Sequence, residues 1–219
     1  MSSDLVVLKP ERFDPARALV RREPFPFLIA SDTLAEGKRD ALRQDFPKYG
    51  EAGFLPYSQK ECGPAVVELV NEVTSPEVAD ALGEQLSIKR LSQYPTLVTI
   101  CRFLDRRHGN IHTDGNAKIA TALFYLNDIW GHTSGGCLRF LNSPDDIEDV
   151  VVPEVKPLYG NFAIFKRTEN SFHGHLRFEG ERRVIQIAWL TSEEEKLRKT
   201  RTGRISRFLK RVVGQAPRS

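Results

Sequence analysis

The sequence predicts a mainly β fold of the α+β class: a sandwich or barrel of short strands, buttressed by N-terminal helices and followed by a short C-terminal helix. Three observations predict it. Helix signals are confined to the first 93 or so residues and to the chain end. From Tyr94 onward come six short segments rich in β-branched and aromatic residues. Turn signals separate them, among them Gly109-Asn110, Gly135-Gly136 and Gly160-Asn161.

Taken in order, residues 1–24 are polar with scattered apolar residues and read as an arm lying on the surface. PFPFLIAS (24–31) reads as a short strand. Thr33 to Glu36 has the T-x-x-E form of a capping box, which predicts a helix from there to about Phe46, before Pro47. A second helix is expected near Ala65–Val73. Ser75-Pro76-Glu77 supplies a cap, a first-turn proline and an acid at the positive end of the dipole, so a third helix starts there. The strands expected next are 96–104, 118–127, 137–141, 149–155, 161–167 and 182–190. Ser192-x-x-Glu195 is another capping box, so a helix follows the last strand. The expected organisation is one domain over 1–195, with helical support to about 93 and a β core over about 94–191, then a basic tail over 196–219.

Length and composition allow one domain with a substantial core: 219 residues, 40% hydrophobic and 28% charged. No apolar run reaches the length of a membrane span. The opening MSSDLVVLKPERFDP carries acids and lacks the apolar centre of a secretory signal. Cys62, Cys101 and Cys137 are odd in number and widely spaced, which gives no disulfide framework and no zinc pair and points to a reducing, cytoplasmic setting. The net charge of +3 hides an asymmetry. Nine Lys or Arg follow Glu195 with no acid among them, so residues 1–195 carry −6.

The chemistry begins at His112-Thr113-Asp114. On an extended chain, residues i and i+2 project to one side, so this imidazole and carboxylate converge. Alone the pattern is weak, because a solvated pair at a strand end has the same spelling. Three features further along the chain give it weight: Tyr125 on the next strand, His173 or His175 about 60 residues on, and Arg183 opening RVIQIAWL. On that strand Arg183, Ile185, Ile187 and Trp189 share one face. Val184, Gln186, Ala188 and Leu190 share the other. Both faces are largely apolar, so the strand is expected to be covered on both sides. An arginine on such a face needs an anion, and a planar guanidinium suits a carboxylate. Two imidazoles and one carboxylate leave coordination positions open, as in non-haem Fe(II) oxygenases, and also suit zinc.

The stretch from about Leu97 to Trp189 resembles the 2-oxoglutarate/Fe(II)-dependent dioxygenases, in particular the prolyl-4-hydroxylase-like branch. The matching segments are IHTDGNAKIATALFYLNDIW, SGGCLRF, GNFAIFKR and NSFHGHLRFEGERRVIQIAWL. The resemblance implies a double-stranded β-helix, or jelly-roll, core. It implies Fe(II), held by His112, Asp114 and His173, with 2-oxoglutarate as cosubstrate and O₂. It places the far carboxylate of 2-oxoglutarate on Arg183 and Tyr125. In that branch the distal histidine stands nine or ten residues before the arginine, within S-[FW]-H. Ser171-Phe172-His173 fits, and His175 then belongs to the pocket wall. Arg102 and Cys137 are further candidates for the substrate pocket. The implied reaction is hydroxylation of an unactivated C–H bond with release of succinate and CO₂. The competing classes are an inactive metal-binding jelly roll and a zinc hydrolase with His175 as its base.

Substrate is less defined. A peptide, an amino acid, or an anionic glycan or small molecule would each suit. In the tail, Ile205, Phe208, Leu209 and Val212 have helical spacing, with Arg204, Arg207 and Arg211 on another side. That is a helix docked on the body with a solvated basic face, or a contact for a membrane surface or an anionic partner. Nucleic acid is disfavoured, since the tail has one aromatic residue and no stacking platform. His108 and His132 read as exposed loop residues.

Overall fold

A computed structural model describes residues 7–131 and 133–214; for Ser206 and 208–214 it describes the backbone alone. His132 and the side chains of Phe208, Leu209, Arg211 and Val212 therefore lie outside the described residues.

In chain order the strands are β1 (Leu19–Arg21), β2 (Phe27–Ala30), β3 (Phe54–Pro56), β4 (Thr96–Leu104), β5 (Lys118–Tyr125), β6 (Arg139–Phe140), β7 (Phe162–Lys166), β8 (His173–Gly174) and β9 (Gly180–Leu190). The helices are α1 (Arg39–Asp45), α2 (Pro64–Thr74), α3 (Pro76–Gln85) and α4 (Glu193–Gly214). Seven strands form one antiparallel sheet in the order β1-β2-β7-β5-β9-β4-β3. β6 and β8 form a small facing sheet, extended by isolated bridges at His112–His173, Leu138–Val155 and Leu141–Val150. This is a jelly roll, a double-stranded β-helix with helices on its outer side.

Each face of the large sheet has its own core. The outer face presents Ile100, Phe124, Ile185, Ile187 and Trp189 to α2 and α3, which contribute Val66, Leu69, Val73, Val78 and Leu82. The inner face presents Cys101, Leu123, Tyr125, Phe165 and Val184 to Leu138, Phe140 and Val155 of the facing layer. β9 is thus covered on both sides, as its composition predicts.

Several expectations needed correction. From Val7 onward the N-terminal arm is built into the body. Val7, Leu8 and Phe13 are buried, and β1 closes one edge of the sheet. The buried Glu72 carboxylate accepts from Val7 N (3.0 Å) and Leu8 N (2.7 Å), so a buried acid is satisfied by the arm it anchors. Thr33 caps no helix: its hydroxyl donates to Gly160 O (2.9 Å), which ties it to the turn before β7. α1 accordingly starts at Arg39, after a 3₁₀ turn at Glu36–Lys38. Residues 149–155 make only isolated bridges. Pro153 there has no N–H to give a ladder. The caps at α3 and α4 form as expected, Val78 N donating to Ser75 Oγ (3.4 Å) and Glu195 N to Ser192 Oγ (3.3 Å).

The tail helix α4 docks through its arginine. Arg207 donates to Glu61 at 2.6 and 2.9 Å, and its guanidinium lies 4.0 Å from the Tyr49 ring centre. Arg207 is thus not part of a solvated basic face, because the amphipathic pattern cannot show that an acidic socket awaits one member. No helix among the described residues is long and apolar enough to cross a membrane.

One irregularity positions the site. Cys101 pairs with Val184 and Phe103 with Glu181, so Arg182 and Arg183 together stand opposite the single Arg102. The Asn127 side chain repairs this bulge. Its carbonyl accepts from Arg183 N (2.8 Å) and its amide donates to Glu181 O (3.2 Å). Replacing Asn127 with Leu leaves two backbone groups without partners, and we expect a loss of about 1–3 kcal/mol in urea denaturation. An unchanged midpoint would show that the bulge holds itself.

Candidate active site

A cavity of about 550 Å³ opens between the two sheets. His112, Asp114 and His173 lie at its wall, and one ligand atom from each falls within 4.8 Å of the others. His112 follows β4 on the loop that bridges to β8, and His173 opens β8, so the His112–His173 bridge brings two distant segments side by side. Their backbones exchange hydrogen bonds at 3.0 Å in each direction. Their rings stand 4.4 Å apart, and the Phe165 ring packs 4.4 Å from that of His173.

Backbone carbonyls set the imidazole orientation. His112 Nδ1 lies 2.9 Å from Asn110 O, and His173 Nδ1 lies 2.9 Å from Ser171 O. A carbonyl can only accept, so each Nδ1 carries the proton. Each Nε2 is left with a lone pair for a metal. Burial pushes His173 down to about 4, so the ring stays neutral. Burial pulls Asp114 the other way, toward protonation. The Lys118 ammonium (2.6 Å), the adjoining His173 and the Thr121 hydroxyl (2.6 Å) outweigh it and hold the carboxyl at about 2. The set is therefore one carboxylate and two imidazoles whose Nδ1 atoms face carbonyls, which suits Fe(II) and leaves positions free.

The arginine of the site is Arg182. Arg183 was expected on the cosubstrate, but its side chain leaves the outer face and bonds Glu181 (3.0 Å). The physical reason is strand parity. Arg183 shares its side with Ile185, Ile187 and Trp189, and that side packs on the helices. Arg182 shares its side with Val184 and Gln186, and that side faces the cavity. Arg182 is 2% exposed and lines the cavity. Its Nε donates to Gly136 O (2.7 Å) and its Nη2 to the Tyr125 hydroxyl (3.4 Å). It stands nine residues after His173. The signal was available: Gln186, the one polar residue in the strand interior, marks the cavity face.

The other candidates divide. Tyr125 is fully buried beside Arg182, whose guanidinium carbon sits 5.2 Å from its ring centre; it supports the arginine from behind and is not in the cavity wall. His175 is in the wall. Its Nδ1 meets Leu176 O at 2.8 Å, and burial, then Arg182, push it down to about 4. Arg102 is outside the cavity, since it projects from the outer face to Glu181 (3.1 Å). Cys137 is buried with its thiol toward Thr133 O (3.7 Å), away from the cavity wall. His108 lines the cavity rather than standing free in a loop, held by Asp105 at 3.0 Å. Sequence reasoning missed Lys118, Thr121 and Gln186 altogether.

Residues 98–191 match the model of the 2OG-Fe(II) oxygenase superfamily. The match spans 94 of the chain's 219 residues, the part that holds the site. The family uses Fe(II), 2-oxoglutarate and O₂. Similar solved structures include a Pseudomonas putida prolyl-4-hydroxylase (18% identity, TM-score 0.52, 75% of this chain and 86% of that one). Another is a prolyl 4-hydroxylase from Phytophthora capsici (21%, 0.50, 76% and 59%). A third is the viral collagen prolyl hydroxylase of Paramecium Bursaria Chlorella virus-1 in complex with 2-oxoglutarate (16%, 0.52, 74% and 93%). At these identities the likeness is one of fold. A search of curated proteins finds no match.

The buried imidazoles give the fold an acid sensitivity. His173 and His175 bind protons near their ordinary 6.5 when unfolded and near 4 when folded. Between those values the unfolded chain holds more protons, so stability is complete above 6.5 and falls as pH drops toward 4. Urea midpoints of the metal-free protein should decline from pH 7.5 to pH 5, and His175→Gln should flatten the decline. A pH-independent midpoint would contradict the assigned environments.

Proposed function

We propose that the protein is a 2-oxoglutarate-dependent Fe(II) dioxygenase that hydroxylates an unactivated C–H bond, releasing succinate and CO₂. One observation carries this reading: a single cavity holds a two-histidine, one-carboxylate cluster and a buried, inward-facing arginine. A metal cluster alone would suit hydrolysis equally. A desolvated guanidinium in the same cavity suits the distal carboxylate of a dicarboxylic acid.

Iron, 2-oxoglutarate and O₂ supply the oxidising chemistry when bound. The chain supplies geometry. His112 and His173 present Nε2 lone pairs, fixed by Asn110 O and Ser171 O. Lys118 and Thr121 hold the Asp114 carboxylate ionised and oriented. Arg182, backed by Tyr125 and Gly136 O, anchors the cosubstrate at the other end. Leu123, Leu138 and Phe165 keep water from the space between. His175, its Nδ1 proton held by Leu176 O, offers the Nε2 lone pair as an acceptor for a substrate donor.

The cations near the opening do not argue for an anionic substrate. Arg106 pairs with Glu179 (3.0 Å), Arg107 pairs with Asp105 (2.6 Å), and Arg102 is on the other face. What remains at the cavity is Phe54, Leu104, Asn110, His108 and His175. These suit an uncharged segment with polar edges, and a peptide fits that description.

Protein reconstituted anaerobically with Fe(II), then given 2-oxoglutarate, ascorbate and air, should form succinate slowly even without substrate. His173→Ala should abolish this, while His175→Ala should retain it. Tight zinc binding with no iron-supported turnover would favour a hydrolase. Failure to bind 2-oxoglutarate would overturn the reading.

A further inference from the structure

We propose that a second pocket, on the outer face of the large sheet, binds a phosphate monoester dianion. The pocket is about 350 Å³ and is lined by Arg43, Gln44, Phe46, Lys48, Arg102 and Arg183. Its wall has four cations and no acid. It is separate from the catalytic cavity, because Arg102 and Arg183 leave the opposite side of the sheet from Arg182. The proposal does not depend on the oxygenase reading.

The charges around it are under-neutralised. Arg102 Nε and Arg183 Nε both donate to one oxygen of Glu181, at 3.1 and 3.0 Å. One carboxylate thus serves two guanidiniums whose side chains are mostly covered, at 27% and 16% exposure. Two guanidiniums that share one carboxylate offer more donors than that carboxylate can accept, and both residues line the pocket. Arg43 spends a donor on Asp40 of its own helix (2.8 Å). Lys48 has no ion-pair partner among the described residues. Four cations set against Glu181 and Asp40 leave a net charge of +2.

That surplus matches a phosphate monoester, which carries close to two negative charges at neutral pH and three acceptor oxygens. Forked guanidiniums together with an ammonium suit such a group better than a single carboxylate. Phe46 closes the floor and Gln44 adds a neutral amide. The cations converge on one small pocket, so the geometry fits one isolated phosphate better than a polymer backbone. The ester can be free or carried on a protein side chain.

The test is titration of the full chain with inorganic phosphate, free phosphoserine and a phosphoserine peptide, at constant ionic strength and pH 7.5. Calorimetry and phosphorus NMR line broadening give the readout, and acetate serves as the monoanion control. Saturable phosphate binding is expected, weakened about tenfold or more in the double variant Arg43→Ala/Lys48→Ala. Those two positions are exposed, and an unchanged melting temperature shows that the double variant is folded. His112→Ala should bind phosphate normally. Tighter binding of the peptide than of free phosphoserine identifies a protein-borne ester, and the reverse a free one. Absence of phosphate binding, equal affinity in the double variant, equal binding of acetate, or displacement by 2-oxoglutarate would each overturn the proposal.

Discussion

Two consecutive arginines at the start of β9 point to opposite faces of the sheet, and the site depends on which of them faces inward. Side chains alternate across a strand, so a shift of one residue exchanges the helix-facing set for the cavity-facing set. Trp189, Ile187 and Ile185 fill the outer core against α2 and α3. That packing fixes the parity of the strand, and the parity sends Arg182 inward and Arg183 outward. The bulge opposite Arg102 accommodates both, and Asn127 supplies the bonds that the broken ladder lacks. A charge needed in the cavity is thus held there by hydrophobic packing on the far side of the sheet.

The same economy governs the metal cluster. Asp114 is buried, and burial alone would favour its protonated form. Lys118 and Thr121 each take one of its oxygens and keep it ionised. His173 loses its charge to burial, and both histidines lose their tautomeric freedom to backbone carbonyls. Asp114 and His173 therefore have their protonation states set before any metal arrives, which limits the rearrangement that binding requires.

Much of this was legible in the sequence. The strand-rich half, the caps of α3 and α4, and the ordered His112, Asp114 and His173 pattern are local features, and local features survive folding. Arg183 was misassigned because a spacing of nine or ten from His173 admits both arginines, and because an arginine on the apolar face with Trp189 calls for an anion. It is the core of the helical layer. Gln186 marked the cavity face, but a lone glutamine in an apolar strand is a quiet signal. Lys118, Thr121 and Asn127 were invisible for another reason: each matters through a partner brought near only by the fold. The N-terminal arm reads as surface because its apolar residues are too scattered for periodicity, yet Glu72 and the edge of the sheet bind it.

The central claim is that Arg182, not Arg183, receives the cosubstrate. Titration of 2-oxoglutarate into metal-loaded Arg182→Gln and Arg183→Gln tests it directly. Loss of a charge-assisted pair should weaken binding to the first by about 10- to 100-fold. The second should bind within about twofold of the unaltered protein, since small differences of that size are near RT in energy. The opposite ranking would place the wrong face of β9 in the cavity and contradict the account.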